Sequence, residues 1–333
     1  MWQILGQPKI VTLLEQSIQR GQLSHAYLFV GPPHVGKLTL AINLAQAVNC
    51  ESQVIPCQEC PSCRRIAAGK HTDVQIMDLV SPEAKGISID QIRDMQMASH
   101  LPPFEGKRKV FILDKADLLS HEAANCLLKT LEEPPPKVHL VLLTARESRL
   151  LPTVLSRCQR VELRPLPTNV VRDTLAEQYN ISLDKASLLS RLSAGRLGWA
   201  LLAHKDAKIM TERQQTIGTF IDLSSANVHQ RLAYAAELAA QFTKGRDRVA
   251  EILSSWMEWW HDLLLIKGGN GQSITNIDYQ ATLSSQAESL TMRQISEFVR
   301  HLQTATRQLE QNVNARLAFE VLMLRMPRAK DGF

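Results

Sequence analysis

A chain of 333 residues, 44% hydrophobic and 21% charged, is long enough for two or three domains of roughly 100–200 residues each. Its apolar content can bury a full core, which excludes whole-chain disorder. A net charge of +5, from 38 Lys and Arg against 33 Asp and Glu, permits a phosphate-backbone partner without arguing for one. No apolar run approaches about eighteen residues, and the start Met1-Trp2-Gln3-Ile4 has no basic segment before an apolar stretch; neither a transmembrane helix nor a signal peptide is expected, and the expected location is cytoplasmic.

In chain order, residues 1 to about 163 alternate short apolar runs with helical patterns. Ala26–Val30, Val74–Asp78, Val110–Asp114 and His139–Leu143 have the length and content of buried strands in a parallel sheet covered on both faces. This part is α/β and doubly wound. From Pro165 the strand-like runs cease. Residues 166–206 read as short helices, the first opening after Leu166-Pro167 with Thr168 or Asn169 as N-cap. Residues 207–333 read as helical throughout, broken at Lys244–Arg246 and at Lys267–Gly271, where glycines end a helix. Trp256, Trp259 and Trp260 share one helix face and are expected in a core. Arg328–Phe333 reads as a frayed tail. The fold class is α/β followed by all-α, with boundaries at 1–165, 166–206 and 207–333.

After the strand ending at Val30 comes Gly31-Pro-Pro-His-Val-Gly36-Lys37, then a helical run to Val48. This is a phosphate loop in its required setting of strand, loop and helix. Glycines let backbone N–H groups wrap a phosphate, the helix N-terminus adds positive potential, and Lys37 supplies an ammonium. The next residue should be Ser or Thr to hold Mg²⁺; it is Leu38, and Thr39 comes one position, about 100° of helix, late. The strand Val110–Asp114 ends in an acid suited to a metal, but Lys115 follows where hydrolysing relatives of this loop carry a glutamate. Asp117 reads as a helix cap or surface residue. These residues predict ancestry in nucleotide binding without autonomous hydrolysis.

Four of the six cysteines fall in Cys50-Glu-Ser-Gln-Val-Ile-Pro-Cys57-Gln-Glu-Cys60-Pro-Ser-Cys63. Two overlapping C-x-x-C steps with a fourth cysteine seven residues earlier can close a tetrahedron of thiolates. That favours one structural zinc over an iron–sulfur cluster, with no open position for catalysis. Cys126 reads as core packing, Cys158 as a lone cysteine, and Lys107-Arg-Lys109 as a solvated loop.

Ala123-Ala-Asn-Cys-Leu-Leu-Lys-Thr-Leu-Glu-Glu-Pro-Pro135 with Leu155-Ser-Arg-Cys158 resembles the bacterial DNA polymerase III clamp-loader subunits. Ile4-Leu-Gly-Gln7, Ser24–Phe29 and the cysteines placed after the phosphate loop add to the resemblance. It spans about the first 205 residues and returns, more weakly, in Asn312–Glu320. The resemblance implies an AAA+ module with a zinc module, a small helical lid and a helical collar used for oligomerisation. It also implies a hetero-pentameric ring with gamma/tau motor subunits and a delta subunit, acting on a sliding clamp and primed DNA, with no membrane partner. By the same resemblance Arg157 is an arginine finger reaching a neighbour's γ-phosphate. Gly31, Gly36, Lys37, Thr39, Asp114 and Thr144 would form a degenerate nucleotide site, and Gly198 stands where motor subunits carry a lid arginine, with Arg196 two residues early. The member expected has lost its own hydrolytic groups but serves its neighbour, as part of a DNA-directed DNA polymerase holoenzyme and without activity alone. Two alternatives stand beside it. One is a gamma/tau-type motor hydrolysing ATP with Thr39 and Asp117 in shifted roles; the other is a zinc-containing nucleic-acid-binding protein outside replication.

Overall fold

The computed structural model describes residues 1–79, 86–311 and 313–328. Asn312 and most of the expected tail, residues 329–333, lie outside them. The chain divides into two compact units: Met1–Val171 with Gly195–Trp199, and Arg172–Ala194 with the chain from Ala200 onward.

In the first unit, α1 (Pro8–Gln19) leads into β1 (Ala26–Val30), α2 (Lys37–Asn49), α3 (Pro61–Ala67), β2 (Val74–Met77), α4 (Ile89–His100) and β3 (Lys109–Leu113). Then follow α5 (His121–Glu132), β4 (Val138–Thr144), α6 (Pro152–Leu155) and β5 (Gln159–Glu162). All strand pairs are parallel, in the order β2-β3-β4-β1-β5. Successive strand residues point to opposite faces, and each face has its own core. Tyr27, Phe29, Ile112, Val141 and Leu143 pack with Leu14, Leu40, Leu44 and Ile66 of α1, α2 and α3. Leu28, Phe111, Leu113, Leu140 and Leu142 pack with Ile92, Met95, Leu127, Leu131 and Val154 of α4, α5 and α6. The doubly wound α/β expectation therefore holds.

β1 lies between β4 and β5, and the chain leaves β1 towards one face of the sheet and β4 towards the other. The carboxyl ends of β1 and β4, paired through Val30 and Thr144, thus form the crevice where open α/β sheets receive ligands. The four anticipated strands appear within a residue or two of their expected bounds, and β5 is a fifth. Its only buried residue is Val161; Arg160, bonded to Glu147 and Glu162, makes it a charged edge that resists pairing with another chain.

α7 (Thr168–Glu177) begins at Thr168 itself. The carbonyl of Pro167 accepts from the Val171 N–H at 3.1 Å, so the cap position falls on Pro167, one residue before the expected Thr168 or Asn169. The second unit is helical, as the α/β-then-all-α reading requires: α8 (Leu183–Leu192), α9 (Leu197–Lys205, straddling the boundary), α10 (Ala207–Ser225), α11 (Val228–Lys244), α12 (Arg246–Lys267), α13 (Gln280–Ser289), α14 (Met292–Glu310) and α15 (Ala315–Arg325). Gly245 alone separates α11 from α12, and α12 ends at Lys267 before its glycines, both as the loop signals indicated. Capping boxes start α11 (Asn227 with Gln230) and α14 (Thr291 with Gln294). Trp256, Trp259 and Trp260 are buried together with Phe220, Phe298 and Phe319, so the tryptophan face is core. Arg231 is also buried and donates to the carbonyls of Leu223, Ser224 and Met326, satisfying the orphan ends of α10 and α15 at once.

Candidate functional site

The phosphate loop joins β1 to α2 in the expected setting. Gly36 caps α2 at φ +105°, a conformation that side chains with a Cβ rarely adopt. Lys37 does not extend into solvent: its Nζ donates to the carbonyls of Gly31 at 2.6 Å and Pro32 at 2.8 Å. Burial lowers its pKa to about 8, against the opposing pull of Asp114 and Asp117. Leu38 packs on the core beneath α2, while Thr39 is half-buried on the next helix position.

Asp114 follows β3, and its Oδ1 accepts from the Lys115 N–H at 2.9 Å. Burial raises the Asp114 carboxyl above the usual carboxylate range, with Asp78 adding to the rise. Lys115 sits at φ +53° with its ammonium turned to Asp78, 3.3 Å away. The position that should carry a catalytic acid therefore holds a cation facing the end of β2. Thr144 is buried at the end of β4, and its hydroxyl donates to Asp117 Oδ1 at 2.9 Å while accepting the Arg146 N–H. This corrects the reading of Asp117: it is neither a cap nor a free surface acid but the acceptor of the Thr144 proton. No spacing rule links the two, since they meet through the neighbouring strands β3 and β4.

Gly198 is closed against the loop. Its N–H donates to the His34 carbonyl at 3.1 Å, and a Cβ built on it would lie 2.8 Å from that oxygen. An arginine cannot enter here without a backbone shift. Arg196 lies over the Trp199 ring, 6.0 Å from its centroid.

The four cysteines converge. Cys50 caps the end of α2, Cys60 caps α3 and Cys63 lies in its first turn; with Cys57, their sulfurs all lie within 4.8 Å of one another. A tetrahedral thiolate site with metal–sulfur bonds of about 2.3 Å needs sulfurs about 3.8 Å apart, so the donor set fits a metal ion with little adjustment. Backbone N–H groups of Cys57, Cys60 and Cys63 point at the sulfurs of Cys50, Cys57 and Cys60, at 3.3 to 3.4 Å. Those N–H groups favour thiolate: the bonds from Cys60 and Glu59 lower Cys57 to about 6, whereas burial pushes Cys63 up. A coordinated cation overrides such differences and deprotonates its thiols outright.

A buried amide network supports this cluster. Asn43 donates to Gln46 at 3.0 Å, Gln46 donates to the Cys63 carbonyl at 3.0 Å and to Gln58 at 2.9 Å, and the Gln3 N–H donates to Asn43 at 2.7 Å. The only sequence signal for it was Asn and Gln inside an otherwise apolar helix. The basic run is a solvated loop only in part: Lys107 is exposed and Arg108 half-buried, while Lys109 is buried in β3. Lys107 bonds the Cys50 carbonyl, Arg108 meets His139 at 2.9 Å, and the buried Lys109 donates to the Ala98 carbonyl at 2.8 Å. Cys126 is half-buried against the core with its thiol on Gln96, in keeping with a packing role. Burial pushes Cys158 up to about 12, which leaves it inert.

Arg157 stands apart from the loop residues. It follows α6, a third exposed, with Nη1 donating to the Thr153 carbonyl at 2.9 Å and Nη2 paired with Glu132 at 2.6 Å.

No helix among the described residues is long and apolar enough to cross a membrane. Two family models match: "DNA polymerase III, delta subunit" over residues 6–167 and "DNA polymerase III, delta subunit, C terminal" over residues 208–327. DNA polymerase III subunit delta' of Bacillus subtilis is 31% identical over 323 residues, covering 96% of this chain and 95% of that one. DNA polymerase III subunit tau of the same organism is 28% identical, with 97% of this chain aligned to 60% of the relative. The Escherichia coli tau subunit is 31% identical over 75% of this chain and 42% of its own length. With a match running almost end to end in both proteins, the chain belongs to the delta-prime family of DNA polymerase III subunits.

Proposed function

We propose that this chain is the non-hydrolysing delta-prime subunit of a DNA polymerase III clamp loader, supplying Arg157 in trans to the nucleotide of a neighbouring gamma/tau motor subunit during clamp loading on primed DNA. One contrast carries the reading. Lys37 is folded onto its own loop, Lys115 faces Asp78 and Gly198 is closed on His34, while Arg157 is held at the surface of the same unit. A guanidinium brought to the charge developing on a transferred phosphoryl group in a water-poor interface raises turnover by orders of magnitude. Gly31, Gly36, Lys37, Thr39, Asp114 and Thr144 then form a degenerate nucleotide pocket that does not hydrolyse ATP.

The cysteine cluster is read as structural zinc, since four thiolates leave no open position. Residues 1–165 are read as the AAA+ module, 166–206 as the lid and 207–333 as the collar, in a cytoplasmic hetero-pentamer that includes a delta subunit. Leu317, Val321 and Leu324 support the collar: they repeat at helical spacing on α15 and are each more than half exposed, opposite the buried Ala318, Phe319, Leu322 and Met323.

The test is ATP turnover by a loader reassembled from motor subunits, delta subunit and this chain. Arg157→Ala is expected to lower turnover at least tenfold at the site it serves, and Lys37→Ala to leave it intact. Loss on Lys37→Ala would instead make this chain a motor.

A further inference from the structure

A four-residue helix does not by itself hold a long side chain, yet Arg157 at the end of α6 is fixed. Three of its five guanidinium N–H groups are engaged. Nη1 donates to the Thr153 carbonyl at 2.9 Å and to Ser156 Oγ at 3.3 Å, and Nη2 pairs with Glu132 Oε1 at 2.6 Å. The first two partners belong to the same turn as Arg157. Glu132 is different: it is the last residue of α5, a separate helix whose Leu127 and Leu131 are rooted in the core under the sheet.

The side chains of Arg157 and Glu132 are 34% and 51% exposed, so their pair adds little to stability. What it changes is conformational freedom. A free arginine tip samples many rotamers, and ordering it at the moment of docking subtracts from the interaction it then makes. Anchored from α5, the tip is ordered beforehand. The Nε–H and one Nη2–H have no acceptor among the described residues, so two donors remain for an incoming anion.

We propose that Glu132 is the positioning residue for Arg157, holding the guanidinium so that its remaining donors meet a phosphate oxygen of the neighbouring subunit's nucleotide. This rests on the reading of Arg157 as a finger acting in trans. Masking is the competing physical effect: a carboxylate beside a guanidinium also weakens its field, and if that dominated, removing Glu132 would raise turnover.

The experiment uses the complete loader, reassembled with the full-length chain carrying Glu132→Ala, Glu132→Gln, Arg157→Ala or the Glu132→Ala/Arg157→Ala pair. It reads kcat and KM for ATP, ring assembly by sedimentation and the Tm of the free chain. Glu132→Ala is expected to lower kcat at the site Arg157 serves about three- to fivefold, the range that loss of one exposed ion pair allows, with KM, assembly and Tm unchanged. Glu132→Gln, which keeps an oxygen acceptor in the same place, should recover most of the rate, and the double variant should equal Arg157→Ala alone. A full effect of Arg157→Ala with wild-type or higher turnover for Glu132→Ala overturns the positioning role and leaves the finger standing. No effect of Arg157→Ala removes the finger and the positioning role together. A double variant slower than Arg157→Ala alone gives Glu132 a separate effect and also overturns the proposal.

Discussion

Helix α2 separates two sites that have kept different things. At its N-terminal end the phosphate loop has its expected backbone path, with a left-handed Gly36 leading into the helix, while Lys37 is folded onto its own loop and Lys115 faces Asp78. At its C-terminal end the cysteine cluster retains its whole donor set, down to backbone N–H groups aimed at the sulfurs. Backbone geometry and side-chain chemistry are thus separate properties of a site. A loop motif in sequence reports the first, and only the residues around it report the second.

The largest way to break this contrast is at the cluster. Cys60→Ser, or treatment of the native chain with a strong chelator, should remove one bound metal ion per chain and destabilise the first unit by about 3 kcal/mol or more. Metal analysis and thermal unfolding check this, and a chain purified without metal and unaffected by chelator would place the cluster on the same footing as the loop. A smaller effect is expected at Gly198. Placing an arginine there should cost about 1–3 kcal/mol through the contact with the His34 carbonyl and should not create ATPase activity. An active Gly198→Arg chain would show that one side chain, not the closed loop, separates this protein from a motor.

The smallest effect sharpens the comparison through pH. The folded Lys37 pKa is about 8 and an unfolded lysine titrates near 10.4, so between these values the unfolded chain binds more protons and stability rises with pH. Because the loop is partly open, the gain is on the order of 1 kcal/mol between pH 8 and 10. Lys37→Met should lack this slope while sharing every other titration with the wild type. Denaturant unfolding of both proteins at pH 7.5 and 9.5 reads the difference, and parallel slopes would mean that the loop does not desolvate the ammonium.

What was legible in the sequence was whatever announces itself by periodicity or fixed spacing: four apolar strands, the loop, the cysteine steps, the tryptophan face. What was hidden depends on elements meeting in space. β5 carries a single buried residue, so no apolar run marks it. Asp117 reaches Thr144 only because the short 3₁₀ turn Ala116–Leu118 after β3 lies beside the end of β4. Lys107, Arg108 and Lys109 look like a solvated basic loop in sequence, yet each finds a partner outside the run, on Cys50, His139 and Ala98. Glu132 reads as an ordinary helix-end acid until α6 brings Arg157 to it.

The three tryptophans of α12 also make the second unit separately visible. Each is at most 2% exposed, and the indole nitrogens of Trp256 and Trp260 have no hydrogen-bond partner among the described residues, an apolar setting in which indole emission lies well to the blue of its value in water. Only two of the five tryptophans, Trp2 and Trp199, lie in the first unit. Intrinsic fluorescence is therefore mainly a gauge of the helical unit. Set beside release of the metal proposed for the cysteine cluster, which lies in the other unit, it lets one unlabelled sample report which half of the chain comes apart first.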